Sequence, residues 1–268
     1  MRLTTLGTAG WVPSARRETT CLTLKDGATL IVFDAGTGLR RLLAPVGQDL
    51  LAGVEAVDLV LTHYHLDHVC GLAYLPAVLA GRRLTVHAPA AAVNGTDPEL
   101  ALAELIRPPY NPGPWSDWPG ITVRALVAGD NEVAGHGLRL RAQKHPGTSA
   151  GYRLDDLFAL ATDTGPDPET ETFAHGVAAL AHECWYNDDD PATRRVHGSL
   201  LPSFRAHSEV GEVAALAARA DVGRLLLMHL NPLFGEEYYG RMRDRARRGF
   251  ADTLLVPDET VIDLAGSV

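Results

Sequence analysis

Short apolar runs, broken by turn residues, set the pattern of this chain. "MRLTTLG", "TCLTLKD" and "TLIVFDAG" have the composition and bounding turns of strands, and "GTGLRRLLAPV" reads as a short helix behind them. "VDLVLTH" begins as a continuous apolar run, the mark of a strand buried on both faces, and "GLAYLPAVLA" is the helix after it. "RLTVHAP" is a further strand. "DPELALAELIR" opens with Asp97 as an N-cap and Pro98 as the first helical residue, where a missing N–H costs nothing. "PPYNPGPWSDWPG" holds too much Pro and Gly for a regular element and is a loop. A second series of strands follows in "ITVRALV", "LRLRAQKH", "AGYRLD" and "LFALATD". Helices are expected over about 168–180 and 209–220, then a strand in "GRLLLMHL", an amphipathic helix in "EEYYGRMRDRARRGF" and two short strands in "DTLLVPDETVIDL".

Strands followed by helices, twice over and with no break in composition, point to one domain across residues 1–268. The expected architecture is α/β: a four-layer αββα sandwich, two mixed sheets packed together with helices on both outer faces. Hydrophobic residues make up 46% of the chain, enough for a large core and too many for a disordered tail. No apolar run is long enough to span a membrane, and "MRLTTLGTAG" has no signal-peptide pattern. Cys21, Cys70 and Cys184 show no paired spacing, so free thiols and a cytoplasmic location are expected. The formal charge of −9 argues against long nucleic acid as a partner, since phosphate neutralisation needs concentrated Lys and Arg.

The chemistry lies at strand ends. "LTHYHLDHVCGL" places His63, His65, Asp67 and His68 directly after an apolar run. Such groups are expensive there unless something satisfies them, and a metal ion does so. His63 and His65, two apart, point to one side of an extended strand end and can grip one ion; Asp67 and His68, beyond the turn, can reach a second. His145, Asp163 and His229 each follow a later apolar run, so all can converge on one rim. Nitrogen and carboxylate donors suit zinc, and a second ion near the first needs a shared carboxylate, for which Asp163 in "LATDTG" is the candidate. His87, His136, His175 and His197 lack motif support and are expected to be structural or solvent-facing. Cys70 is expected to be a small buried packing residue.

This pattern resembles the metallo-β-lactamase superfamily, in particular its ribonuclease Z-like and cyclic-phosphodiesterase branch. "THYHLDH" matches the H-x-H-x-D-H motif. "HPGTSAGYRL", "ATDTG" and "MHLNP" look like the third-histidine, bridging-aspartate and last-histidine motifs. "LGTAGWVPSARRET" and "FDAGTGLRRL" are similar to the opening strands. The resemblance implies that His63, His65 and His145 hold one zinc, Asp67, His68 and His229 hold the other, and Asp163 bridges them. Mn2+ or Fe2+ in place of Zn2+ stays open.

A metal pair of this kind generates hydroxide near neutral pH and polarises an electrophile. It can serve a phosphodiester, thioester, lactone or lactam. A phosphodiester expels an alkoxide, which benefits from a proton donor. "HECWYN" and "RAHSEVGEVAALA" resemble branch motifs in which a glutamate orients a proton-donating histidine. The matching residues are Glu183 and His207, which with Asp67 form the expected catalytic set. Glu209 stands where the family commonly has Thr, and Cys184 where Ala is common, which suggests a divergent substrate. A purely structural alternative has Glu183 ending a strand and Ser208 capping the next helix.

The expected activity is therefore a dinuclear zinc phosphodiesterase acting on a small phosphodiester of the cyclic nucleotide or cyclic phosphate type. The tRNA-cutting relatives often carry a long arm between the third His and the bridging Asp, whereas only "PGTSAGYRLDDLFALAT" stands there. A lactonase or thioesterase, a tRNA 3′-end endonuclease and a low-turnover accessory protein are the alternatives. The expected partners are a small-molecule phosphodiester and, as an open option, a second copy of the chain in a homodimer; no membrane partner is expected. Arg194 and Arg195 can meet a phosphate or lie in a solvated loop. Trp115 and Trp118 can stack on a base or simply pack their loop.

Overall fold

A computed structural model describes residues 1–79, 81–196 and 206–264. Seven strands form the first sheet: β1 (Arg2–Gly7), β2 (Cys21–Asp26), β3 (Thr29–Phe33), β4 (Ala56–Val60), β5 (Arg83–Pro89), β6 (Ile121–Leu126) and β14 (Val261–Asp263), in the order β14-β1-β2-β3-β4-β5-β6. The second sheet holds β7 (Gly129–Val133), β8 (His136–Ala142), β9 (Ala150–Leu154), β10 (Phe158–Ala161), β11 (Ala179–Glu183), β12 (Leu225–Met228) and β13 (Thr253–Leu254), in the order β13-β12-β11-β10-β9-β8-β7. Pairing runs antiparallel from β14 to β3 and parallel from β3 to β6. The second sheet repeats this plan: antiparallel from β7 to β10, then parallel from β10 to β13. The two halves thus share a plan of pairing without a sequence repeat that would announce it.

The two-residue period of a strand sorts the apolar side chains into layers. Ile31 and Phe33 face the second sheet, where they meet Tyr152, Phe158 and Leu160. Leu30 and Val32 face outward onto the helical layer with Leu39, Leu50 and Leu72. Ala179 and Ala181 point inward, while Leu180 packs outward against Val213, Ala217 and Met242. Each fully buried Leu or Phe contributes about 1.5–3 kcal/mol of transfer free energy, so these faces fix the register. The expected four-layer αββα arrangement is therefore present.

Several elements differ from the sequence expectation. The first helix is a 3-10 segment at Thr37–Leu43, and an unforeseen helix at Pro45–Leu51 restarts the chain with Pro45 in its first turn. The helix expected over about 168–180 ends at Phe173, and the alanine-rich run beyond it enters β11. Short apolar runs without alternation do not distinguish helix from buried strand. β7, "GDNEV", carries no strand pattern in the sequence, because it is a half-exposed edge strand with few apolar residues. Asp97 does cap the helix Pro98–Leu105, accepting from the amides of Glu99 and Leu100. No helix among the described residues is long and apolar enough to cross a membrane.

Candidate metal centre

The parallel strands of both sheets deliver polar residues from their C-terminal ends to one rim, where open α/β sheets commonly place ligands. Asp34 follows β3, the histidine cluster follows β4, Asp163 follows β10, Glu183 ends β11 and His229 follows β12. β4 stops at Val60, so His63 and His65 lie in an extended loop beyond it rather than on the strand. His65 is the N-cap residue of the helical turn Leu66–Val69, which carries Asp67 and His68.

Two groups of donor atoms match the expected ligand set: His63, His65 and His145 gather with Asp163, and Asp67 and His68 gather with His229; a third, overlapping group joins Asp163 and His229 to Glu183 and His207. Asp163 Oδ1 lies 3.6 Å from His145 Nε2 and 3.9 Å from His63 Nε2. Its Oδ2 lies 3.0 Å from His68 Nε2 and 3.2 Å from His229 Nε2. Asp67 Oδ2 is 3.3 Å from both His68 Nε2 and His229 Nε2.

The residues fit a pair of metal ions. Nε2 of His63 is buried with no hydrogen-bond partner, an expensive state for a polar atom unless an ion takes it up. Burial holds the His63 imidazole well below its ordinary pKa, aided by the nearby charge of His68, so it is a neutral donor. Burial would raise the carboxyl of Asp163, but His229 and His68 hold it well below the usual range. Around His68 the carboxylates of Asp163, Asp67 and Asp34 overcome burial and raise its pKa well above normal, a sign of surplus negative charge that calls for a cation. Nitrogen and oxygen donors of this kind suit zinc, with Mn2+ and Fe2+ as further candidates.

Asp34, which the sequence analysis did not single out, orients two of these donors. Its Oδ2 accepts from Thr62 Oγ1 at 2.9 Å and from His68 Nδ1 at 2.7 Å, and its Oδ1 accepts from the Thr62 amide at 2.7 Å. Thr62 Oγ1, having donated its proton, accepts from His63 Nδ1 at 3.0 Å. One carboxylate thus places the lone pairs of His63 and His68 on Nε2, the atoms facing Asp163. The backbone is left-handed at Asp34, Asp163 and His229, with φ of 59°, 50° and 49°. Strain of about 1–3 kcal/mol per residue persists only where surrounding contacts over-determine it.

Glu183 and His207 do meet. His207 Nδ1 is 2.7 Å from Glu183 Oε2, and the other carboxylate oxygen accepts from the Ser208 amide. Burial disfavours the charged imidazole, yet the charge and hydrogen bond of Glu183 raise its pKa above the ordinary value. The His207 ring lies 5.4 Å from that of His145 and 5.6 Å from that of His229, which sets it beside both donor groups. Trp185, not foreseen, stacks on His207 at 4.2 Å and an interplanar angle of 17°. Ser208 does not cap the following helix; its hydroxyl donates to Thr164 O. Glu209 is the cap, its side chain accepting from the amides of Gly211 and Glu212. The departure from Thr thus keeps a capping oxygen.

The remaining candidates fall outside the two groups. His87 pairs with Asp58 at 2.7 Å and His136 with Asp155 at 2.9 Å, while His175 is exposed. His197 lies outside the described residues. Cys70 is half-buried rather than buried, and Cys184 packs in the outer core of the second sheet. Trp115 and Trp118 pack against the outer core of the first sheet. Arg194 and Arg195 are exposed on a helical segment at 191–196.

Comparison with known proteins shows the family and the fold. The family described as the beta-lactamase superfamily domain matches residues 29–230. The ribonuclease Z of Methanopyrus kandleri is 28% identical over 289 aligned residues, covering 96% of this chain and 95% of that protein. Among solved structures, the metallo-β-lactamase fold protein YhfI from Bacillus subtilis aligns with a TM-score of 0.73 at 19% identity, covering 97% of this chain and 98% of that one. Unliganded yeast PDE1 aligns with a TM-score of 0.71 at 13% identity over 97% and 98% of the two chains.

Proposed function

Since the chain belongs to the metallo-β-lactamase superfamily, in its ribonuclease Z-like branch, and is a metal-dependent hydrolase of that superfamily, we propose that it cleaves a small phosphodiester. The observation that carries this reading is the hydrogen bond from His207 to Glu183 at the edge of the two donor groups. A metal pair, when bound, lowers the pKa of water and draws charge from the phosphoryl group. His63, His65 and His145 would hold one ion, Asp67, His68 and His229 the other, with Asp163 shared.

His207 gives a proton to the departing alkoxide from Nε2, because Nδ1 is committed to Glu183. Its raised pKa keeps that proton available. A thioester has less need of such a donor, since its thiolate leaving group gains less from protonation than an alkoxide does. The relatives named ribonuclease Z support cleavage of an RNA phosphodiester as a second reading. Against it stand the net charge of −9 and the segment 146–162, which is occupied by β9, β10 and their turns and holds no extended arm.

The test is His207→Ala with metal content measured. The variant should keep its metals and lose about 10²–10⁴-fold on an alkyl phosphodiester, but far less on a nitrophenyl one, whose leaving group departs unaided. Equal losses on both substrates with metals intact would remove the reason for preferring phosphodiesters.

A further inference from the structure

The segment after β1 is pinned to the metal centre from three sides. Gly10 donates its amide to Leu230 O at 3.0 Å, and the Leu230 amide returns to Thr8 O at 3.0 Å. A Cβ on Gly10 would lie 2.4 Å from His229 Cε1, so the bare backbone rests against the face of that ring. The Trp11 amide then donates to Asp67 Oδ2 at 2.7 Å. Trp11 is therefore fixed at the wall of the site, bonded to one candidate ligand and one residue away from the backbone that packs on another.

Among the described residues, no ring contact or hydrogen bond calls for a tryptophan side chain at this position. Trp11 has φ of 61°, in the left-handed region that bulky residues avoid, and a three-residue turn closes around it from the Val12 amide to Gly10 O at 2.8 Å. The indole is 53% exposed and stacks on no other ring among the described residues. Two further exposed apolar residues lie near ligand candidates in the chain: Leu66, between His65 and Asp67, at 68% exposure, and Leu233, four residues after His229, at 46%.

We propose that Trp11 is a stacking platform for a planar ring carried by the substrate. Deepening the phosphodiesterase reading, on which it rests, this assigns the group attached to the scissile phosphate. A base stacked on an aromatic side chain gains about 1–3 kcal/mol with little dependence on base identity. The turn fixes the backbone that carries the indole, so less ordering is left for the ligand to impose.

The experiment uses full-length, zinc-loaded protein and titrates adenosine 5′-monophosphate and ribose 5-phosphate, read by calorimetry and tryptophan fluorescence. Two variants are compared with the wild type. Trp11→Asn removes the ring but tolerates the left-handed turn, and Trp11→Phe keeps a smaller ring. The wild type should bind the nucleotide more tightly than the sugar phosphate. Trp11→Asn should weaken the nucleotide by roughly 5- to 150-fold with the sugar phosphate unchanged, and Trp11→Phe should restore most of the difference. Equal binding of the two ligands by the wild type, or equal loss of both in Trp11→Asn, overturns the platform. If alkyl phosphodiesters are still turned over with the His207 dependence given above, only Trp11 is refuted. Binding of neither ligand together with no phosphodiester turnover refutes both readings.

Discussion

His68 Nδ1 donates to Asp34 Oδ2 at 2.7 Å, and both side chains are fully buried. The same oxygen accepts from Thr62 Oγ1, so Asp34 sets the ring orientation of His68 directly and that of His63 through Thr62. Carboxylates that orient metal-ligating histidines typically account for 10–100-fold in metal affinity. Asp34→Asn offers one oxygen where two served three donors, and turns its amide hydrogens towards at least one N–H or O–H. Metal affinity, measured against a competing chelator, should fall by about 10–100-fold, and stability should drop by about 1–3 kcal/mol. A stability loss with unchanged metal affinity would make Asp34 a structural residue alone.

Asp163 gathers with His63, His65 and His145, and its Oδ2 also lies 3.0 Å from His68 Nε2 and 3.2 Å from His229 Nε2 of the other donor group. Its two oxygens divide between the two groups, Oδ1 towards His145 and Oδ2 towards His68. Protein purified without chelator should carry about two metal ions per chain. Asp163→Ala should bring this below about one, because a donor near both groups is lost and the charge of two buried cations is left less well compensated. Elemental analysis of the two proteins side by side decides it. A variant that keeps full metal content would show that Asp163 does not bridge.

The residues legible in the sequence were those where a polar side chain ends an apolar run inside a motif. His63, Asp163 and His229 all have that form, and the structure brings them together. Asp34 has the same form, the Asp of "TLIVFDAG", but no donor stands beside it in the chain, and its partners Thr62 and His68 come from the segment after the next strand. Trp185 was not legible because its stacking on His207 joins two segments that only the fold brings together. The shared plan of the two sheets was hidden for a related reason: pairing direction repeats while residues do not. The helix assigned to about 168–180 failed where "VAALAHE" satisfied both helix and buried-strand patterns, and pairing with β10 and β12 decided for the strand.

Two opposing influences set the proton on His207. Its burial pushes the imidazole towards neutrality, while the charge and hydrogen bond of Glu183 hold the proton on, and the balance lies above the ordinary histidine value. A proton donor works only while protonated. Turnover of an alkyl phosphodiester should therefore fall as pH rises through this raised pKa, and should persist above the value near 6.5 at which an unperturbed histidine has lost half its protons. Glu183→Gln removes the charge, so the pKa drops and the descending limb moves to lower pH. Below both pKa values the two enzymes hold the same proton, so their rates should converge. The glutamine also has one oxygen for two donors, His207 Nδ1 and the Ser208 amide, and should cost about 1–3 kcal/mol of stability. A nitrophenyl ester needs no proton and should show a shallow limb in both proteins. Profiles of kcat/KM against pH for both substrates, taken with metal content checked at each pH, separate this from loss of metal. A limb on the alkyl substrate that stays in place in Glu183→Gln would mean that another group supplies the proton.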